Sequence, residues 1–361
     1  MNQETYRNLV SGRTSGPIAA SVRLLLVLLS WPYSLVVRLR NGLYSAGLFR
    51  TRRVDAVVIS VGNLTTGGTG KTPLVVWLCR TIRQRQRRCA ILTRGYKTQG
   101  RELSDEPALL AARCPQVNVV INPDRVAGAG QAIAEHEAEV LILDDGFQHR
   151  RLARDIDIVT IDATLPFGYG RLLPAGLLRE PIAGLWRAQA AVITRCDQVS
   201  EERLAEIERQ LQRVNPDMIL ASSIHAPVST VTERGTQVGL DQLRGKRVCA
   251  FCGLGNPEAF FDTVRRVGGV LVGCRVFDDH HAYTSGDLNE IRRLAAEQKA
   301  ECIMTTQKDW TKVEPLLSAP GDPPMAYLAV EMEFVSGGEQ LTGLIDRVLD
   351  GRMPQLQKPG K

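Results

Sequence analysis

The chain has 361 residues, and 44% of them are hydrophobic, which excludes a mainly disordered protein and allows one large domain or two medium domains. Its formal net charge is +6 at pH 7, a mild excess for this length. Aromatic residues make up 5% of the chain, and no basic stripe is interleaved with them, so we expect no nucleic-acid partner.

The first fifty residues combine positive charge with apolar side chains. No acidic residue lies between Glu4 and Asp55, whereas eight arginines do. The fourteen mostly apolar residues between Arg23 and Arg38 are too few for an unbroken membrane span of about twenty residues, and Pro32 interrupts them. A signal peptide is set aside because no small-residue cleavage site follows. Flanking arginines and aromatic residues favour a helix that lies on an anionic membrane surface over a core helix of the soluble domain.

The stretch "VVISVGNLTTGGTGKTPLVVWL", residues 57–78, predicts a strand, a turn rich in glycine and threonine, and a helix. Glycine has no Cβ atom to keep backbone N–H groups away from a polyphosphate, and the start of a helix favours anions. Lys71 is therefore expected on the β- and γ-phosphates of a nucleotide, with the hydroxyl of Thr72 on Mg²⁺. An ordinary glycine-rich turn is the alternative, because Thr65 stands where the usual pattern begins with glycine. The predicted nucleotide-binding residues are Thr65, Thr66, Gly67, Gly68, Thr69, Gly70, Lys71 and Thr72.

A second chemical signal is "VLILDDGFQHR", residues 140–150. An apolar strand that ends in Asp144 and Asp145 is typical of a Walker B element, which places carboxylates around Mg²⁺ beside the γ-phosphate. Neighbouring residues at a strand end point in different directions. One of the two is thus expected to hold the metal or its water and the other to have a second role, and both assignments stay open.

Strands and helices alternate along most of the chain. Strand-like segments cover residues 89–96, 117–121, 139–145, 156–162 and 190–195. This alternation predicts an α/β fold with a mostly parallel P-loop NTPase-like sheet and helices on both faces, followed by a second, smaller α/β domain. The predicted parts are a membrane-associating segment (1–50), a P-loop kinase core (51–225), a linker (226–244), the smaller α/β domain (245–350) and a frayed tail (351–361).

Seven motifs in this order resemble the tetraacyldisaccharide 4'-kinase family of lipid A biosynthesis. They are "VGNLTTGGTGKTP", "LTRGY", "SDEP", "DDGFQH", "GRLLPAGLLREP", "FDDHHAYT" and "TTQKD". The resemblance runs from about residue 20 to 345, and "DDGFQH" and "GRLLPAG" are not general features of phosphate loops. The family also lacks the first glycine of the loop pattern, so Thr65 agrees with it. Asp278 and Gln307 depart from the family pattern, outside the groups expected to do chemistry.

The resemblance implies an enzyme that moves the γ-phosphoryl group of ATP onto the 4'-hydroxyl of a tetraacylated glucosamine disaccharide 1-phosphate, giving lipid IVA. Its partners would be this lipid A precursor and the lipid surface at the cytoplasmic face of the inner membrane, and we expect a monomer. The family carries its catalytic base in the "DEP" motif, here Asp105, and supports it with a histidine, here His280. With Lys71, these are the expected catalytic residues, and the expected metal ligands are Thr72, Asp144 and Asp145.

A membrane-tethered regulatory ATPase or GTPase is the alternative function. Against a GTPase, the segment nearest to the guanine-reading NKxD motif is "TRCD" at 194–197, which lacks the Asn-Lys pair. Guanidinium groups suit phosphate, but they also pin loops to carboxylates or carbonyls. The roles of Arg171 and Arg179 therefore stay open. Those of Glu180 and Lys308 also stay open.

Overall fold

Strands and helices alternate along the chain, as the sequence predicts. The computed structural model describes residues 3–95, 105–254, 256–278, 281–317 and 321–356. The strands in these residues are β1 (Val57–Gly62), β2 (Cys89–Thr93), β3 (Asn118–Ile121), β4 (Val140–Asp144), β5 (Ile156–Asp162), β6 (Ala190–Thr194), β7 (Ile219–Thr232), β8 (Gln237–Val238), β9 (Arg247–Cys252), β10 (Val270–Val276), β11 (Cys302–Thr306) and β12 (Met325–Ser336). The helices are α1 (Gln3–Val10), α2 (Pro17–Ser45), α3 (Lys71–Gln84), α4 (Asp105–Arg113), α5 (Arg125–His136), α6 (Glu201–Val214), α7 (Pro257–Arg266), α8 (Ser285–Glu297), α9 (Gln307–Val313) and α10 (Gly338–Leu356).

One sheet contains all twelve strands of the described residues, in the order β10-β9-β11-β12-β7-β6-β5-β1-β4-β2-β3, with β8 beside β7. The pairs of β7 with β12 and with β8 are antiparallel, and the other pairs are parallel. Parallel neighbours require crossover connections, which place helices on the faces of the sheet. The predicted mostly parallel α/β architecture is confirmed.

The central strand β1 is buried on both faces. Val57, Ile59 and Val61 belong to the core cluster that also contains residues of α3 and α10. Val58, which points the opposite way, packs in a cluster with residues of α5. This two-sided burial explains why β1 is a continuous run of apolar residues rather than an alternating one.

The strand order brings the two chemical motifs to one edge of the sheet. β1 lies between β4 and β5, and Val61 pairs with Asp144 in parallel register. The carboxyl ends of β1 and β4 therefore meet, although eighty residues of chain separate them. In open α/β sheets, ligands bind in the crevice outside the carboxyl ends of the strands at such a switch in strand order.

A long antiparallel pair joins the two halves of the sheet. Residues 226–244, predicted as a linker, contain the second half of β7, all of β8 and a short 3-10 helix at Leu240–Leu243. Beyond them, α10 returns to the first half, because Leu341 and Ile345 share a core cluster with Val57. The sheet is thus continuous across the predicted boundary, and the division into domains stays a prediction.

The helix α2 extends from Pro17 to Ser45 with Pro32 inside it. The expectation that this proline interrupts the segment is wrong. Proline removes one backbone hydrogen bond, and the turns on either side of it continue the helix. Among the described residues, α2 is the one helix that is long and apolar enough to cross a membrane by length and composition alone.

One face of α2 makes hydrogen bonds to the loop after β4 and to the segment 171–181, and the other face is exposed. Tyr33 donates from its hydroxyl to the carbonyl of Arg179 at 2.8 Å, and Arg40 Nη2 donates to the carbonyl of Gln148 at 2.6 Å. Of the exposed apolar residues of α2, Leu24, Leu28, Trp31, Leu35 and Leu39 lie on the face opposite Tyr33 and Arg40 by helical spacing. The full set of exposed large apolar residues of α2 is Ile18, Val22, Leu24, Leu25, Leu28, Leu29, Trp31, Leu35, Val36 and Leu39.

Candidate active site

The loop between β1 and α3, called the phosphate loop below, forms a cradle of backbone amides. Gly67 and Gly70 have φ angles of 115° and 85°, in the left-handed region that favours glycine. α3 begins at Lys71, and Gly70 before it contributes no side-chain cap. The first N–H groups of α3 therefore face the cradle, and the helix dipole adds to their attraction for an anion. This donor set fits the phosphates of a nucleotide.

The ends of β5 and β6 hold the cradle from one side. The hydroxyl oxygens of Thr69 and Thr160 lie 2.7 Å apart, and Thr194 Oγ1 donates to the carbonyl of Thr69 at 3.0 Å. Arg195 Nη2 donates to the carbonyl of Gly68 at 3.1 Å. These three anchoring residues were not predicted from the sequence, although "TRCD" at the end of β6 contains two of them.

The carboxylate of Asp145 joins the phosphate loop to the segment that contains Arg179. Lys71 Nζ lies 3.5 Å from Asp145 Oδ1, and the guanidinium of Arg179 donates to both carboxylate oxygens at 2.8 Å. Arg179 and Lys71 also donate to Oδ1 of Asn63, the first residue after β1. Burial raises the pKa of Asp145, but the hydrogen bonds and charges of Arg179 and Lys71 outweigh it and leave the pKa well below the usual range.

The predicted metal ligands lie at this same end of the loop. Asp144 is buried at the end of β4, Asp145 follows it, and Thr72 is in the first turn of α3. Within the described parts of the chain, no group of three or more His, Cys, Asp or Glu is arranged to hold a metal ion. Mg²⁺ in nucleotide sites needs only one or two carboxylates, because phosphates and waters complete its shell. The donor set fits a nucleotide-bound Mg²⁺.

The segment 171–181 packs along the phosphate loop. The N–H of Thr66 donates to the carbonyl of Leu177 at 2.8 Å, and the N–H of Arg179 donates to the carbonyl of Leu64 at 2.7 Å. Arg179 is thus placed on the loop by its own backbone as well as by its guanidinium. Arg171, at the other end of the segment, is exposed.

Glu180 is a buried junction with 1% of its surface exposed. Its carboxylate accepts from Arg187 Nη2 at 2.8 Å, from Gln148 Nε2 at 2.8 Å and from Asn41 Nδ2 of α2 at 3.1 Å. The question left open by the sequence is answered by these contacts: Glu180 links α2 to the segment that carries Arg179.

His225 of β7 is a further residue at the loop that was not predicted from the sequence. Its Nε2 lies 2.8 Å from the position that a Cβ atom at Gly70 would occupy, so the imidazole fills the space beside this glycine. Among the described residues, this buried nitrogen has no hydrogen-bond partner. Burial, with smaller effects from the charges of Arg195 and Arg113, lowers the pKa of His225 to about 3.

The expected base, Asp105, and the histidine expected to support it, His280, lie partly outside the described residues. α4 begins at Asp105, but the side chain of Asp105 and all of His280 lie outside the described residues. The helix that begins at Asp105, α4, packs against α9. Lys312 of α9 donates from Nζ to the carbonyl of His281 at 3.1 Å.

The lowered pKa of His225 predicts a pH-dependent loss of stability. As the pH falls below about 6.5, the unfolded chain takes up a proton on this imidazole, whereas the folded chain stays neutral until the pH nears 3. The free energy of unfolding should therefore fall over this range. In His225→Gln this contribution is absent, so its free energy of unfolding should decline less steeply between pH 6.5 and about 4.

Urea unfolding at several pH values measures how steeply the free energy of unfolding changes with pH. His136→Gln, near the end of α5, is the matched control and should keep the wild-type slope. Equal slopes for the wild type and His225→Gln would contradict the prediction.

Comparison with known proteins identifies the family of this chain. The family model for tetraacyldisaccharide-1-P 4'-kinase matches residues 22–350. The chain is 38% identical to the tetraacyldisaccharide 4'-kinase of Anaeromyxobacter dehalogenans strain 2CP-C, over 90% of each chain. It is 41% identical to that of Anaeromyxobacter sp. strain Fw109-5, over 86% of this chain and 87% of the relative. A crystal structure of LpxK from Aquifex aeolicus in complex with ATP is similar, with a TM-score of 0.70 and 30% identity, over 91% of this chain and 99% of the other. The chain therefore belongs to the tetraacyldisaccharide-1-P 4'-kinase family.

Proposed function

We propose that this chain phosphorylates the 4'-hydroxyl of a tetraacylated glucosamine disaccharide 1-phosphate with ATP, giving lipid IVA in lipid A biosynthesis. The observation that carries the proposal is the cluster of Lys71, Asp145 and Arg179 at the phosphate loop. In phosphoryl transfer the protein mainly positions the reactants and neutralises charge, and this cluster provides two cations and a carboxylate for those tasks. The relatives named for this reaction and the neighbour crystallised with ATP support it.

The nucleotide would lie across the amides of residues 65–72, with Lys71 on the β- and γ-phosphates. Thr72, Asp144 and Asp145 would hold Mg²⁺, which when bound neutralises charge on the phosphates. Asp145 suits this task because its lowered pKa keeps it ionised at neutral pH.

The acceptor hydroxyl must lose a proton as its oxygen attacks phosphorus. We assign the base to Asp105 and its orientation to His280. The packing of α4 on α9, and the bond from Lys312 to the carbonyl next to His280, support a meeting of the two residues from the two halves of the sheet.

The exposed face of α2 would dock the enzyme at the cytoplasmic face of the inner membrane, where ATP and an acylated substrate are both present. Leu24, Leu28 and Leu35 are 62%, 53% and 67% exposed. The opposite face of α2 makes hydrogen bonds to Gln148 after β4 and to Arg179 and Glu180 of the segment 171–181. A helix docked in this way fits a peripheral or monotopic position, with its apolar face in the membrane surface.

The function is tested with purified protein, labelled ATP, Mg²⁺ and the tetraacylated disaccharide 1-phosphate in detergent. Lipid products separated by mass should gain one phosphate, and ATP consumption should require the lipid. Lys71→Ala should lower turnover by about 10²- to 10³-fold or more, because a cation on the transferring phosphoryl group is lost. Lipid-independent ATP hydrolysis with no phosphorylated lipid would instead support a regulatory ATPase.

The base is tested in the same assay. Asp105→Asn should lower kcat by roughly 10²- to 10⁴-fold with little change in ATP affinity, and His280→Ala should cost less. In the double variant the fold-losses of kcat should not multiply, because two groups that act as one unit stop working when either is removed. If Asp105→Asn keeps wild-type turnover, or if the losses multiply, the pair is wrong and Asp145 becomes the candidate base.

Membrane docking is tested by making the exposed face of α2 polar. The wild type should sediment with vesicles of anionic phospholipid, whereas Leu24→Ser combined with Leu28→Ser and Leu35→Ser should remain in solution, since the buried apolar area is lost. Val276→Ser combined with Val335→Ser, two exposed residues outside α2, is the matched control. Equal sedimentation of all three proteins would place the anchor elsewhere.

A further inference from the structure

The short helix α1 lies against the segment that borders the phosphate loop. The hydroxyl of Tyr6 lies 2.9 Å from the carbonyl oxygens of both Pro174 and Gly176. Leu9, one turn later, is buried. These contacts hold α1 on the segment 171–181, which also contains Arg179, the partner of Asp145.

This position brings the guanidinium of Arg7 to the phosphate loop. Arg7 Nη2 lies 3.2 Å from the position that a Cβ atom at Gly67 would occupy. Gly67 has a φ of 115°, which a side chain would strain, so glycine here serves both the loop conformation and the close approach of Arg7.

Arg7 reaches the loop beside the segment 171–181, which leads to the end of the loop where the transferring phosphate is expected. The other side of the loop is taken by Thr160, Thr194 and Arg195, which bind Thr69 and Gly68. The γ-phosphate end is marked by Lys71 with the carboxylates at the end of β4. The segment 171–181, which holds α1, reaches that end through Arg179.

We propose that Arg7 contacts the γ-phosphoryl group in the transition state, as an arginine supplied in cis by the helix that precedes the membrane-docking helix. The inference rests on the proposed function. As the bond from the 4'-oxygen to phosphorus forms and the bond to the bridging oxygen of ADP breaks, the proton leaves with the base. Arg7 keeps its protons and stabilises the charge on the phosphoryl oxygens, for which its planar fork of donors is suited.

Two further observations concern the part of the chain that contains Arg7. Residues 1–21 precede the match to the family model, so Arg7 belongs to a part of this chain outside that model. The turn from α1 to α2 is held by Arg23, whose Nη1 donates to the carbonyl of Thr14 at 2.6 Å. Docking of α2 on a membrane would therefore also set the position of Arg7.

The test uses the full-length protein with Arg7→Ala, Arg7→Lys and the matched control Arg13→Ala, an exposed arginine of the same segment. The first measurement is the affinity for fluorescent N-methylanthraniloyl-ADP, with and without aluminium fluoride as a transition-state mimic, in the presence of Mg²⁺. In Arg7→Ala the tightening by aluminium fluoride should fall by about 10²- to 10³-fold, while the affinity for ADP alone stays near the wild type. Arg7→Lys should recover part of the loss, and Arg13→Ala should match the wild type.

The second measurement separates kcat from KM. Arg7→Ala should lower kcat by about 10²- to 10³-fold with little change in the KM for ATP. Tyr6→Phe keeps Arg7 but removes the hydroxyl that holds α1, so it should lower kcat less and in the same pattern. Thermal unfolding of each variant serves as the control for folding.

Three outcomes would overturn the inference: equal weakening of ADP and ADP with aluminium fluoride, a rise in the KM for the disaccharide alone, or identity of Arg7→Ala with Arg13→Ala. A wild-type protein that transfers no phosphate to the disaccharide would overturn the proposed function instead. The binding measurement would then still decide the role of Arg7.

Discussion

The ion pairs of Asp145 with Lys71 and Arg179 are the interaction on which the site depends. They join three separate segments: the start of α3, the end of β4 and the segment 171–181. Asp145 adopts a left-handed backbone conformation with a φ of 52°, which aspartate tolerates better than most residues. The backbone turns away from the strand direction at Asp145, and its carboxylate faces Lys71 and Arg179. Arg179 and Lys71 share Asn63 as a further acceptor, so the cluster is tied to the first residue of the phosphate loop.

The segment that carries Arg179 also connects the site to α2. The carbonyl of Arg179 accepts from Tyr33, and the side chain of Glu180 accepts from Asn41. Glu180 and Arg187 are almost fully buried as a pair, and loss of one partner from such a pair costs about 3–5 kcal/mol. The helix proposed to dock on lipid is thus attached to the residues that place a cation in the site. If α2 docks as proposed, the acylated substrate and the phosphate loop would be held at the same end of the molecule.

The phosphate loop is supported along its length by side chains from the neighbouring strands. Thr160, Thr194 and Arg195 bind its carbonyl and hydroxyl groups from β5 and β6, and His225 fills the space beside Gly70 from β7. His225 lies within the antiparallel pair of β7 with β12, opposite Met332. The strand that touches the loop is therefore also the strand that joins the two halves of the sheet.

The sequence by itself determined the local parts of the site. Strand β1, the glycine loop and α3 follow from apolar periodicity and glycine spacing, and Asp144 and Asp145 follow from their place at a strand end. These features depend on backbone preferences of neighbouring residues, which is why they were predictable. Asp105 and His280 were found only through the family resemblance, because neither stands in a pattern that local physics distinguishes.

The tertiary structure alone decided which distant residues complete the site. Asn63 as a shared acceptor, Glu180 as a junction, His225 against Gly70 and Arg7 against Gly67 are contacts between positions up to about 160 residues apart. It also decided that α2 continues through Pro32 and that residues 226–244 contain the second half of β7 and all of β8. Such contacts depend on the strand order and on burial of the whole core, whereas the sequence pattern around each residue reports only its immediate neighbours.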